Sequence, residues 1–121
     1  MTLMATRPRA ARSKPAPSRE LLAMVARRFR VLADPARLGI LHELQAGERT
    51  VTELVEATAL LQGTLSKHLQ VLHDAGFVRR RRDGQFVHYA LADERVLVLC
   101  EQMCGRIEDE TDAARQLLRR R

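Results

Sequence analysis

The chain contains no tryptophan, one tyrosine and three phenylalanines. So few aromatic faces leave little for unpaired bases to stack on, which argues against a single-stranded nucleic-acid platform. Cysteine occurs only at Cys100 and Cys104. Two thiols four residues apart are not a disulfide framework, so they serve either packing or reactive chemistry. No apolar run approaches the roughly 20 residues that a membrane-spanning helix needs. The opening MTLMATRPRAARSKPAPSRE lacks the apolar centre of a secretory signal, and the cytoplasm is the expected location. No nucleophile–base–acid set, phosphate loop or metal tetrad is visible. The expectation is therefore a protein that is not an enzyme.

What is present is length for one modest core, in 121 residues, and positive charge. Lysine and arginine number 21 against 15 acids, a formal charge of +6. That balance favours a polyanionic partner, and with aromatics scarce, duplex DNA is the better fit. Residues 1–17 hold Arg7, Arg9, Arg12 and Lys14, three prolines and no acid. They are expected to form a disordered basic tail ahead of a folded domain over 18–121.

Ser18 is placed to cap a helix over about 19–32, with Glu20 near the positive end of its dipole. Leu21, Leu22, Val25, Phe29 and Leu32 recur there at three- and four-residue spacing. Asp34-Pro35 starts a second helix: the aspartate caps orphan amides, and proline at the first helical position forfeits no hydrogen bond. Leu38, Ile40, Leu41 and Leu44 make its buried face, ending near Ala46-Gly47. His42, with no ligand-type neighbour in sequence, reads as a structural residue. Val51 is expected in one short strand, and Thr52 as the cap of a short third helix, Glu53 to Thr58, with Leu54 and Val55 inward.

The stretch Leu60–Val78, LLQGTLSKHLQVLHDAGFV, then reads as an amphipathic helix. Leu65, Leu69 and Leu72 lie on one face, and Gly76 sits where a helix ends in a left-handed residue. Its first half carries Gln62, Thr64, Ser66, Lys67 and His68, groups able to read base edges and phosphates in a major groove. A short helix, a tight turn and this helix make a helix-turn-helix arrangement. Next comes FVRRRRDGQFVHYAL, with Asp83-Gly84 as the expected two-residue turn of a hairpin between Phe77–Arg82 and Gln85–Leu91. Val78, Val87, Tyr89 and Leu91 supply an inward face. The arginines are either a charged edge that prevents aggregation or a basic wing lying on DNA. Asp93 and Glu94 open a last helix over about 93–119. Its stripe of Val96, Leu99, Cys100, Met103, Cys104 and Ile107 is too long to bury within so small a chain, so a two-fold dimer is expected.

Several separated motifs together resemble one family. They are Asp34-Pro35-Ala36-Arg37-Leu38, Thr64-Leu65-Ser66-Lys67-His68-Leu69, Leu72-His73-Asp74-Ala75-Gly76-Phe77-Val78, and Arg82-Asp83-Gly84-Gln85 with Tyr89. In order and spacing, over about residues 20–110, they look like the ArsR/SmtB family of winged helix-turn-helix repressors. The resemblance implies a mostly α fold with a small β-hairpin wing, dimerised through its terminal helices. It also implies binding to operator DNA near the protein's own promoter, and release by an inducer. Carried over by position, Gln62–Ala75 is the recognition helix. Gln62, Thr64, Ser66, Lys67 and His68 are its DNA contacts, and Arg81, Arg82 and Gln85 are those of the wing. Leu61 and Gly63 depart from the family pattern, which usually has a capping Ser or Thr at the first and often Ser at the second. The missing cap removes about 1 kcal/mol of helix stability unless another group substitutes.

The sequence leaves the inducer site open. The family's paired-cysteine site would fall at Thr52–Leu54, where no cysteine stands. Its zinc site between the last helices keeps Asp93 and an acid near Asp109, but Arg95 and Arg106 replace the histidines, and arginine does not ligate metal. What remains is Cys100 and Cys104, whose spacing puts both sulfurs on one helix face, Cα atoms about 6 Å apart. They are packing residues in the dimer seam, thiols open to oxidation or persulfide linkage, or donors to a soft ion such as As(III) or Cd(II) with a third group from the partner subunit. A hundredfold release of DNA requires a coupling of about 2.7 kcal/mol. A rival reading from another class is a dimeric winged-helix module for protein contacts, its basic face serving only solubility.

Overall fold

A computed structural model of the chain describes residues 14–119. Most of the expected basic tail, residues 1–13, lies outside them. Lys14–Pro17 carry no regular structure and are exposed. By packing, the chain divides into two units, Met1–Arg30 and Val31–Arg121.

The first unit contains most of α1 (Arg19–Leu32). Ser18 caps it as expected, its Oγ accepting from the Leu21 amide at 3.1 Å. Leu21, Leu22, Met24, Val25 and Phe29 are exposed along this helix.

The second unit begins with α2 (Pro35–Glu43), followed by a 3-10 turn at Leu44–Ala46. Asp34 Oδ1 accepts from the amides of Ala36 at 2.8 Å and Arg37 at 3.3 Å, and Pro35 occupies the first helical position. The next elements differ by one or two residues from expectation. The strand β1 is Arg49–Thr50, and Val51 begins α3 (Val51–Thr58) instead of a strand. The cap is Thr50, not Thr52. Its Oγ1 accepts from the Glu53 amide at 3.2 Å, and Glu53 Oε1 accepts from the Thr50 amide at 2.8 Å. This reciprocal box satisfies two orphan donors, whereas a cap at Thr52 would have no glutamate three residues on. The Thr50 bond also holds the Glu53 carboxyl below the ordinary carboxylate range.

Helix α3 ends at Ala59 in the left-handed region, φ 60°. Thr58 Oγ1 donates to Leu54 O at 2.7 Å and accepts from the Leu60 amide at 3.3 Å, which closes the turn. Helix α4 (Gln62–Asp74) follows. It stops as Gly76 predicts. Gly76 adopts φ 84°, its amide donates to His73 O at 3.0 Å, and the Phe77 amide donates to Leu72 O at 2.9 Å. These are the two bonds of a Schellman termination.

Strands β2 (Val78–Asp83) and β3 (Phe86–Leu91) form the hairpin, and β1 adds to the other side of β3, giving an antiparallel order β1-β3-β2. Asp83 pairs with Phe86, so the turn is Gly84-Gln85 rather than Asp83-Gly84. Only Gly84, the first turn residue, has positive φ, at 65°. That is the glycine-first hairpin pattern rather than the one needing two positive values. The register puts Val78, Arg80 and Arg82 beside Leu91, Tyr89 and Val87 on the core side of the sheet, and Arg79, Arg81 and Asp83 on the other side.

The core of this unit is wholly apolar. Ile40, Leu41, Leu54, Leu65, Leu69 and Leu72 have no exposed surface, and Val78, Tyr89, Val96 and Leu97 join them. Each fully buried leucine contributes about 1.5–3 kcal/mol relative to exposure. Together they hold α4 and the hairpin as one body. Helix α5 (Arg95–Arg119) starts with Asp93 as its cap, Oδ1 accepting from the Arg95 amide at 2.9 Å. Only Val96 and Leu97 of α5 are buried. Leu99, Met103 and Ile107 remain 45%, 62% and 54% exposed, the surplus apolar stripe that the sequence predicts.

Candidate nucleic-acid interface

Helix α4 is anchored along one edge by Leu65, Leu69 and Leu72, spaced four and three residues apart. The opposite surface carries Gln62, Gly63, Thr64, Ser66 and Lys67, all exposed. Leu61 occupies the cap position and makes no side-chain cap bond. The first-turn amides of a 13-residue helix are thereby left for solvent or an anion, at the positive end of its dipole.

His68 is placed differently from the other four polar residues of this helix. It is half-buried, and its Nδ1 accepts from Arg37 Nε at 3.1 Å. Arg37 Nη1 also donates to Val31 O at 3.1 Å. The Arg37 side chain therefore ties the start of α2 to the middle of α4, a link that no local pattern signals. Asp34 beside it is held below the usual carboxylate range. The Arg37 amide is the main cause, burial opposes it, and the Ala36 amide and the charge of Arg37 add to it.

The arginines of β2 are all exposed, yet two of them are engaged. Arg80 Nη1 donates to Gln70 Oε1 at 3.2 Å, and Gln70 Nε2 donates to Asp74 Oδ1 at 2.8 Å. This chain of polar contacts joins the hairpin to α4, so Gln70, Asp74 and Arg80 belong to the site although only the arginine stands in a visibly basic run. Arg81 reaches the other way. Its Nε and Nη2 donate to the two carboxylate oxygens of Glu48 at 2.9 and 2.7 Å. That fork lowers the Glu48 pKa and raises that of Arg81. Arg82 and Gln85 make no such bond to another side chain among the described residues, and they stand at the hairpin tip beside the exposed Phe86. The site thus presents Lys67, Arg82, uncommitted amides and neutral polar groups on α4 and the wing.

The candidate sensor residues lie on α5. Cys100 is partly buried and Cys104 exposed. Burial, and then the neighbouring Cys104, push the Cys100 thiol pKa up. Around the residual zinc positions, Arg95 grips Asp93 with contacts down to 2.7 Å and holds its carboxyl to about 2. Arg106 pairs with Glu110 at 3.1 Å rather than with Asp109. His42 Nδ1 lies 2.9 Å from Leu38 O within its own helix. Among the described residues, no group of three or more His, Cys, Asp or Glu side chains comes together as a metal site, and no helix is long and apolar enough to cross a membrane.

Among the described residues, five α-helices, a three-stranded antiparallel sheet and an exposed polar helix next to a basic hairpin define a winged helix-turn-helix protein. Residues 34–80 match the family described as bacterial regulatory protein, arsR family. The probable mercury resistance operon repressor of Streptomyces lividans is 48% identical over 71 residues, 59% of this chain and 57% of that protein. The arsenical resistance operon repressor of Bacillus subtilis is 39% identical over 87 residues, 70% of this chain and 83% of that one. The solution structure of a homodimeric winged helix-turn-helix DNA-binding domain from Mycobacterium bovis, a possible ArsR-family regulator, superposes with a TM-score of 0.68 at 34% identity. The match covers 90% of this chain and 94% of the other. The chain belongs to the ArsR family. Its relatives are named as repressors rather than enzymes. The chain spans little more than half the length of the Streptomyces relative.

Proposed function

We propose that this chain is a transcriptional repressor that binds duplex operator DNA as a cytoplasmic homodimer, with residues 18–121 as its DNA-binding and dimerisation domain. The observation that carries the reading is the exposed first half of α4, backed by Leu65, Leu69 and Leu72 and flanked by the wing. Gln62, Thr64 and Ser66 are suited to base edges and Lys67 to phosphate. The uncapped first turn of α4 adds an anion-binding end, and Arg82 and Gln85 extend contact from the wing. His68, held by Arg37, orients the helix more than it reads bases. The exposed stripe of Leu99, Met103 and Ile107 supports a two-fold partner through α5. Two copies of α4 must then stand about 34–36 Å apart to enter successive major grooves.

The inducer we propose is thiol-directed and acts at Cys100 and Cys104, with a soft metal ion as the first class and thiol oxidation or persulfide formation as the second. Relatives named for mercury and arsenical resistance support the first. One chain supplies two sulfur donors on a single helix face, Cys104 the more accessible, and a soft ion needs a further donor from the partner subunit. Bound there, such an ion would bridge the helices that set the spacing of the DNA readers.

The test is a titration of the protein's own upstream duplex and an unrelated duplex at several salt concentrations. Wild type should prefer the upstream site and show a steep salt slope. Lys67→Ala should weaken binding to both duplexes and Gln62→Ala should erode the preference. Mercury(II), arsenite, cadmium, peroxide or persulfide should release wild type but not Cys100→Ser/Cys104→Ser. Equal, weak binding to both duplexes would overturn the repressor reading in favour of a protein-contact module. Release of the double variant by the same agents would remove the cysteines from the sensor.

A further inference from the structure

Glu48 precedes β1 and lies 33 residues from Arg81 in sequence, yet the two side chains meet in a two-bond fork of 2.9 and 2.7 Å. A carboxylate offers a guanidinium a pair of anionic oxygen acceptors, as a phosphate does. On this side of the sheet the carboxylate also faces His88, whose Nδ1 is 4.0 Å away and which pairs with Thr50 across the strands. The field of Arg79 reaches it as well. Asp83 approaches Arg81 more loosely, at 3.9 Å. Glu48 is therefore the tight anionic partner within a cluster of cationic and titratable groups, and the fork with Arg81 lowers its pKa, favouring the ionised form.

We infer that Glu48 is a positioning residue that acts as an internal phosphate mimic, occupying Arg81 and withholding one cation per wing from DNA. The wing then contacts the backbone through Arg82, with Gln85, while Arg81 stays folded back on the outer face of the sheet. Sequence-independent affinity depends on how many phosphates the protein neutralises, and each contributes about 0.9 to the slope of log K against log salt. Withholding Arg81 lowers that affinity without touching the polar groups of α4. The inference rests on the DNA-binding reading above and departs from the family-based expectation that Arg81 is itself a wing contact.

The experiment uses the full chain and an unrelated duplex, with the salt slope as readout. Glu48→Gln removes the charge at nearly constant shape, and Glu48→Ala removes the acceptors altogether. Glu48 lies on the surface, 36% exposed along its side chain, so neither change disturbs the core. Both variants should bind the unrelated duplex several-fold more tightly at 0.1 M salt, with the slope steeper by about 0.9 for each wing engaged. Adding Arg81→Gln to either should return the slope to the wild-type value. A wild-type slope in Glu48→Ala overturns the inference. So does a double variant that stays as steep as the single one, because that variant has the wild-type net charge and the gain would then come from some group other than a released Arg81. Wild-type binding that does not respond to salt would instead count against the DNA-binding reading.

Discussion

Ala59 is the one residue other than glycine with positive φ among the described residues, and it sits in the turn that sets α3 against α4. A side chain in the left-handed region is disfavoured by roughly 1–2 kcal/mol, because Cβ crowds the following carbonyl. The surroundings impose this conformation. The Ala59 amide donates to Val55 O at 2.9 Å, the Thr58 hydroxyl bridges Leu54 and Leu60, and Leu54 and Leu65 are pinned in the core on either side. Replacing Ala59 with glycine relieves the strain but enlarges the unfolded ensemble, which opposes it by about 0.4–1 kcal/mol. The balance favours Ala59→Gly by about 0.5–1 kcal/mol, a rise in melting temperature of roughly 2–8 °C for a domain of this size. Thermal melts followed by circular dichroism measure it, at one protein concentration because a dimer melts in a concentration-dependent way. Ala59→Val is the opposing control: a β-branched residue is a conformational outlier there and should destabilise. A lower melting temperature for Ala59→Gly, or an unchanged one for Ala59→Val, would show that the left-handed backbone at Ala59 stores no such strain.

Thr50→Ala should lower stability by about 1 kcal/mol in urea titrations, through loss of the bond from the Glu53 amide. Thr52→Ala should stay within about 0.5 kcal/mol, and the reverse ranking would move the cap back to Thr52. The bonds from Arg95 hold the Asp93 carboxyl at about 2 against an ordinary 3.8, so its folded pKa is depressed. Its stabilising contribution is therefore present above about pH 4 and disappears as pH falls toward 2. Asp93→Asn should flatten stability against pH within that window, most clearly at low salt, and an unchanged profile would show that the pair contributes nothing in solution.

The helices were legible because their causes are local. Asp34 caps amides two and three residues away, the leucines of α4 repeat at three and four, and Gly76 closes its helix through bonds to Leu72 and His73. Each of these reads within about one turn of chain. Two of the departures have equally definite causes. At Thr50 the deciding feature was the glutamate three residues on, which makes a reciprocal box possible there and not at Thr52. At the hairpin the turn moved by one residue because strand pairing, Asp83 with Phe86, set the register.

Among the candidate contacts, composition and spacing were enough to single out Gln62, Thr64, Ser66 and Lys67, since a helix with one buried leucine edge must turn those groups outward. The chain also carried its family membership in residues 34–80. Which basic and polar groups remain uncommitted is another matter. Arg37 finds His68 at a separation of 31 residues, Arg81 finds Glu48 at 33, and Arg80 finds Gln70 at 10. A run of four arginines looks uniform as text. Alternation across the sheet sends Arg80 and Arg82 to one side and Arg79 and Arg81 to the other, where different acceptors wait. Local spacing decides which face a side chain takes. Only the packed chain decides what charge it meets there, because that partner arrives from a distant segment whose position is set by the burial of the common core.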